Sequence, residues 1–199
     1  MTPYKIFDNV LTKEQIKSIY EVFNSDKIDW HLTNQTVDKL TYENAKNEST
    51  REYINFSHMF NISSGEPISN FCQISDYVLK KFLEKSNYKL KERYRVQANL
   101  MPRFESIQED QYNTPHVDML IPHTVLLYYV NDSDGNTRLF SKKINEDQNK
   151  NFDLMASIIP KSGRFLLFDG AYYHASSHPK LTEKRIVINY NLVFDNPEL

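Results

Sequence analysis

The chain has 199 residues, of which 40% are hydrophobic, and a net charge of −2. That length suits one domain with a sizeable core, and the charge leaves no basic footprint, so nucleic-acid binding is not expected. A single cysteine, Cys72, excludes an intrachain disulfide and zinc sites built on cysteine pairs.

The N-terminus MTPYKIFDNV lacks the charged-then-apolar pattern of a signal peptide. No apolar run approaches the roughly 18 residues of a membrane span, so no membrane association and a cytoplasmic location are expected. The first element is a helix. Thr12 and Gln15 have capping-box spacing, and Ile16, Ile19, Tyr20 and Phe23 recur at helical spacing. Asn24 and Ser25 are plausible stops, and Trp30 reads as an anchor of the helix onto the rest of the fold. Residues 31–65 are polar and read mostly as loop. Residues 66–85 read as a second helix with Phe71, Ile74, Val78 and Phe82 on its packed face.

After Lys91 the pattern changes to short strands separated by turns: RYRVQANLM, TVLLYYVND, NTRLFS, FDLMASIIP, GRFLLFDG and KRIVINYNLVF, with a charged loop at KKINEDQNKN. The 13 Tyr and 12 Phe favour β structure, and only 4 residues are Gly. Helices first and strands after predict a mostly β chain with N-terminal helices (α+β), its β part a sandwich, barrel or jelly roll. One domain over 1–199 is expected, with a helical support region at 1–90 and a β core at 91–199.

The stretch TPHVDMLIPH places His116 and Asp118 two residues apart. In a strand such residues share a face, so an imidazole and a carboxylate can reach one metal ion. A hydrogen-bonded surface pair is the plainer reading of the pair alone. A third ligand has two candidates, His174 and His178; His174 follows the apolar strand RFLLF, while His178 precedes Pro179 and reads as part of the outgoing loop. Two histidines and one carboxylate form a facial triad that leaves coordination positions open. Arg185 starts a strand in which Arg185, Val187, Asn189 and Asn191 alternate with apolar residues. That face is either solvated or turned into a pocket, and in a pocket Arg185 is a two-pronged donor for a carboxylate.

His116-x-Asp118, His174 and Arg185 in this order resemble the 2-oxoglutarate/Fe(II)-dependent dioxygenases. HVDMLIPHTVLLYYVNDSDGNTRLF and PKSGRFLLFDGAYYHASSHP are similar to the prolyl 4-hydroxylase-like branch. The resemblance covers about 93–194, and IFDNVLTKEQIKSIYEVF looks like that group's N-terminal helix. It implies a double-stranded β-helix, a cupin-like jelly roll. It implies Fe(II) on His116, Asp118 and His174, and the far carboxylate of 2-oxoglutarate on Arg185 and Tyr129. Asn189 and Asn191 match pocket-lining positions, and Asn99 stands on the strand that often adds a cosubstrate contact. The implied activity is hydroxylation of a C–H bond with O2, releasing succinate and CO2, with ascorbate as an optional reductant. The favoured substrate is peptidyl, of prolyl type. Alternatives are a nucleobase or small-metabolite oxygenase, a non-catalytic jelly-roll binding module, and a zinc or manganese isomerase.

Other residues carry weaker expectations. His123 reads as a loop or pocket-rim residue, and His31 and His58 as solvent-facing or loop residues. Tyr128 and Tyr129 point to opposite faces. Asp169 either orients the distal histidine or serves a turn. Arg103, Arg138 and Arg164 read as solvated, with substrate contact as the alternative. The loops 32–57 and 102–113 are expected over the mouth of the β body, where substrate would be chosen.

Overall fold

A computed structural model describes residues 3–34, 37, 39–62, 66–146 and 151–195. The elements run β1 (Tyr4–Phe7), α1 (Lys13–Phe23), β2 (His31–Thr33), α2 (Lys39–Ala45), β3 (Asn55–Asn61), α3 (Cys72–Lys85), β4 (Leu90–Pro102), β5 (Thr124–Tyr129), β6 (Thr137–Lys143), β7 (Leu154–Ile158), β8 (Phe165–Asp169), β9 (Tyr172–Ser176) and β10 (Lys184–Phe194). A seven-stranded sheet has the order β1-β8-β5-β10-β4-β3-β2, and a three-stranded sheet the order β7-β6-β9. The strand pairings within both sheets are antiparallel. This is the mostly β architecture with helices that the element pattern predicts, built as a jelly roll. No described helix is long and apolar enough to cross a membrane.

Strand alternation explains why β5 is buried along its whole length. Leu126 and Tyr128 face the helices, where they meet Phe23 of α1 and Val78 and Phe82 of α3 in one core. Val125, Leu127 and Tyr129 face the smaller sheet and pack with Leu139, Ile158 and Phe168 in a second core. The central strand β10 splits the same way. Ile186, Ile188, Tyr190 and Leu192 lie in the helix-side core. Full burial of each such side chain contributes about 1.5–3 kcal/mol. The other face of β10 carries Arg185, Asn189 and Asn191, all buried. That polar face therefore looks inward and not to solvent.

The helix α1 has the expected capping box, with Gln15 N donating to Thr12 Oγ1 at 3.3 Å and Thr12 N to Gln15 Oε1 at 2.9 Å. The second long helix begins at Cys72, later than the 66–85 expectation. Pro67 forms a bridge with Asn61, and Ile68 N donates to Phe60 O at 2.9 Å, so these residues are committed to β3 and not to the helix. Trp30 packs with Phe23 at 6.4 Å and His58 at 6.5 Å between ring centroids, so it does tie α1 to the sheet.

The segment 31–65 departs most from its reading as loop, since it holds β2, α2 and β3. Hydrogen-bonding side chains hid the strand. His58, expected to be solvent-facing or in a loop, is buried in β3. Its Nδ1 lies 2.9 Å from Asp29 O and its Nε2 2.7 Å from Ser69 Oγ. The region 1–90 therefore contributes strands to both edges of the large sheet: β1 beside β8, and β3 beside β4 with β2 outside it. It is more than a helical support.

Candidate metal centre

His116 and His174 are distant in sequence and joined by backbone. His116 N donates to His174 O at 3.0 Å, and His174 N donates to His116 O at 2.9 Å. Such a mutually bonded antiparallel pair puts both side chains on one face. The rings lie 4.7 Å apart between centroids. His116 sits in this isolated bridge and not in a regular strand, contrary to the strand expectation for His-x-Asp. Asp118, in a bend two residues on, still reaches the same side. Ligand atoms of His116, Asp118 and His174 all lie within 4.8 Å of one another.

Each histidine offers Nε2. Nδ1 of His116 is 2.9 Å from Thr114 O, and Nδ1 of His174 is 3.5 Å from Tyr172 O. A carbonyl only accepts, so Nδ1 carries the proton and Nε2 keeps the lone pair that binds metal. Burial, with His116 alongside, pushes His174 down to about 4, so its imidazole is neutral at pH 7.

Asp118 is held from three sides. Asn189 Nδ2 and Asn191 Nδ2 donate to Oδ2 at 2.9 and 2.8 Å. Arg95 Nη2 lies 3.1 Å from Oδ1, and Arg95 Nε donates to Asn191 Oδ1 at 2.9 Å. A carboxylate has about four lone-pair directions. Three are taken, and the remaining one is on Oδ1, which stands 3.9 Å from His116 Nε2. Burial raises the carboxyl pKa, but the charges of His174, Arg95 and His116 and the Asn189 hydrogen bond outweigh it, so the group stays ionised well below the usual carboxylate range. Asn189 and Asn191, expected at cosubstrate-binding positions, thus both direct Nδ2 at Asp118, and Asn189 also lines the cavity, its Oδ1 buried without a partner. Their register explains it: Asn191 pairs with Arg95 and Asn189 with Gln97 across β10 and β4.

A cavity of about 390 Å³ is lined by His116, Asp118 and His174. Arg185, 2% exposed, lines the same cavity. Its Nη2 donates to Thr137 Oγ1 at 2.8 Å, its Nη1 reaches only Met101 Sδ at 3.6 Å, and its Nε is buried without a partner. No carboxylate among the described residues pairs with it. A guanidinium keeps its charge in proteins, and burying one uncompensated costs several kcal/mol. Tyr129, expected to bond the same ligand as Arg185, donates instead to Thr137 Oγ1 at 2.7 Å. Its ring lies 5.8 Å from the guanidinium carbon, and burial pushes its hydroxyl pKa up. Thr137 lines the cavity. Like Arg95, it is a residue that the sequence did not single out, and its signal was its place at the start of the short strand after YYVND. Asn99 also lines the cavity, where its Oδ1 accepts from Gln97 Nε2 at 3.2 Å.

Several expected residues lie elsewhere. His178 is buried in the outgoing loop against Tyr53 and Phe104, with Nδ1 3.0 Å from Pro102 O. It is outside the ligand cluster. His123 is a buried loop residue and not a rim residue, because Gly170 lacks the Cβ that would stand 2.3 Å from its Nε2. Asp169 does not orient His174; its Oδ1 accepts from Ala171 N at 3.0 Å in the turn, and Oδ2 is 3.5 Å from Lys143. Arg164 pairs with Asp8 through two 2.8 Å contacts, Arg138 donates to Glu109 O at 2.6 Å, and Arg103 meets Glu105 at 3.3 Å. None of the three lines the cavity. Of the two loops expected over the mouth, 32–57 supplies Thr33, Val37, Thr41, Asn55, Phe56 and Ser57 to the cavity, and 102–113 supplies none.

No family model matches the chain, and no curated protein matches it. Solved structures do. A prolyl hydroxylase from Trichoplax adhaerens, solved with a hypoxia inducible factor peptide fragment, superposes with TM-score 0.60 at 15% identity, covering 98% of this chain and 84% of that one. An oxidoreductase of the 2OG-Fe(II) oxygenase family from Burkholderia pseudomallei gives 0.58 at 8% identity, covering 96% and 85%. A Pseudomonas putida prolyl-4-hydroxylase gives 0.55 at 10% identity, covering 96% and 93%. The chain has the fold of the 2-oxoglutarate–Fe(II) oxygenases, in the form that prolyl hydroxylases share.

Proposed function

We propose that this protein is an Fe(II)- and 2-oxoglutarate-dependent oxygenase that hydroxylates a C–H bond, with a peptidyl substrate of prolyl type favoured. The observation that carries the reading is Arg185: a buried guanidinium without a carboxylate partner, facing the same cavity as two histidines and a carboxylate. The donor set of imidazole nitrogens and a carboxylate fits Fe(II) with open positions. The unpartnered Arg185 Nε fits the far carboxylate of a dicarboxylic acid.

In this reading His116, Asp118 and His174 hold the metal, and Asn189, Asn191 and Arg95 fix the angle of Asp118. Arg185 pairs with the cosubstrate, and Thr137, with Tyr129 behind it, fixes the orientation of Arg185. Bound iron with 2-oxoglutarate and O2 supplies the C–H oxidation, with succinate and CO2 as products. The protein supplies charge, geometry and a cavity that brings these groups together. A zinc or manganese isomerase has no use for a buried, unpartnered cation in the same cavity, so Arg185 weighs against it.

The test is metal-dependent binding of 2-oxoglutarate, followed by succinate release in the presence of Fe(II), O2 and prolyl peptides. Binding that requires Fe(II) and is lost in Arg185→Met supports the proposal. An absence of metal-dependent 2-oxoglutarate binding sinks it.

A further inference from the structure

The charges that line the cavity do not balance once the site is filled. Among the described residues, its ionisable lining residues are Arg95, Arg185, Asp118, His116 and His174. Ligating histidines are neutral. A divalent metal and a dianionic 2-oxoglutarate cancel each other, and Asp118 cancels one arginine. One positive charge is left.

It falls on Arg95. Arg185 meets the cosubstrate, whereas Arg95 shares its counter-ion, Asp118, with the metal. Arg95 binds Asn191 through Nε and Asp118 through Nη2, and Nη1 has no partner among the described residues. The side chain is 26% exposed and forms part of the cavity wall. Elsewhere the wall offers neutral hydrogen-bonding groups, Gln97 and Asn99 on β4, Ser57 on β3 and Thr33 on β2. Among the described residues no second carboxylate lines the cavity to satisfy the cation. An unbalanced cation in a confined pocket favours an anion there more strongly than in water.

We infer that Arg95 anchors a carboxylate of the substrate through Nη1, beside the Asp118 end of the metal-binding cluster. This rests on the oxygenase reading and adds to it a substrate class: a molecule with a carboxylate near the hydroxylated carbon. The carboxylate has two possible sources, the reacting residue's own carboxyl group or an acidic side chain beside it in a peptide.

Two matched pairs of probes separate them: N-acetylproline against N-acetylprolinamide, and acetyl-Pro-Asp-amide against acetyl-Pro-Asn-amide. Binding is measured by calorimetry on Mn(II)-loaded protein with saturating 2-oxoglutarate, which blocks Arg185. At least one acidic probe is expected to bind about tenfold or more tighter than its neutral partner, the range of a charged hydrogen bond. The preference shrinks to about twofold or less in Arg95→Gln and survives in Arg95→Lys. Preference in the first pair assigns a free carboxyl group, and in the second an acidic neighbour. Equal or undetectable binding within both pairs overturns the inference while metal-dependent 2-oxoglutarate binding persists. So does a preference that Arg95→Gln leaves intact. Loss of metal-dependent 2-oxoglutarate binding in the unaltered protein overturns the oxygenase reading and this inference together. Mn(II) affinity of each variant, measured in parallel, separates loss of the anchor from loss of Asp118 positioning.

Discussion

The two ends of the cavity are built differently. The deep end consists of Arg185, Thr137 and the three ligands, supplied by β6, β9, β10 and the bridged segment before β5, and each polar group there has a fixed neighbour or a single missing one. The mouth is formed by Thr33, Thr41, Asn55 and Ser57, from a part of the chain that adds two short strands and a helix to the edge of the sheet. Groups that must meet a metal and one defined dicarboxylate need a rigid frame. Groups that choose a substrate can sit on short edge elements, and their chemistry is a matter of hydroxyls and amides.

The sharpest way to break this contrast is at the ligands. His174→Ala is expected to abolish detectable Fe(II) binding, and His178→Ala to leave it in place, as measured by metal titration. The reverse result would move the centre to the outgoing loop. Arg185→Met comes next. It should weaken 2-oxoglutarate binding by about 10²–10³-fold, since it removes one partner of a buried charge pair. The same variant should leave the ligand-free protein equally stable or more stable in urea, because an uncompensated buried charge has been removed. A ligand-free protein that loses several kcal/mol would show that Arg185 serves the fold.

His178 tests the other histidine by pH. Burial lowers its pKa from 6.5 to about 4. The unfolded chain therefore binds more protons between those values, so stability is full above about 6.5 and falls as pH drops towards 4. The loss is about 3 kcal/mol across that window. His178→Phe should remove about half of the slope in this part of the urea-denaturation profile, since His174 is lowered to about 4 as well; an unchanged slope would assign the pH dependence to other groups. Asn189→Ala and Asn191→Ala should each lower metal affinity by about 10–100-fold, less than loss of a ligand. An unchanged affinity would mean that Arg95 alone suffices to hold Asp118. The smallest effect is expected at the mouth. Ser57→Ala should change substrate KM by about 2–10-fold, the range of one hydrogen bond, with 2-oxoglutarate affinity untouched. A matching loss of 2-oxoglutarate affinity would erase the distinction between the two ends.

The deep end was legible because its chemistry requires residue types at fixed spacings. His116 and Asp118 two residues apart, and Arg185 on an alternating strand, carry their meaning in sequence order. The mouth was not legible for a physical reason. β3 presents Ser57, His58 and Asn61, residues that read as loop, and is made a strand by pairing with β4 and by partners for His58 from distant residues. Arg95 escaped notice because its importance depends on cross-strand register with Asn191 and on a carboxylate far along the chain. Thr137 escaped because it acts through Arg185 and Tyr129. Asn189 and Asn191 were found as positions, but their partner follows only from three-dimensional placement.

The paired backbone contacts between His116 and His174 have a kinetic consequence. Their amide hydrogens are the seam that closes the segment before β5 onto β9. When that seam opens, the two imidazoles separate, so opening and metal release are one event. A bound ion acts as a rivet on it, and by linkage it slows deuterium uptake at these two amides in proportion to its concentration over its dissociation constant. The exchange rate at two positions thus becomes a gauge of occupancy that requires neither substrate nor turnover.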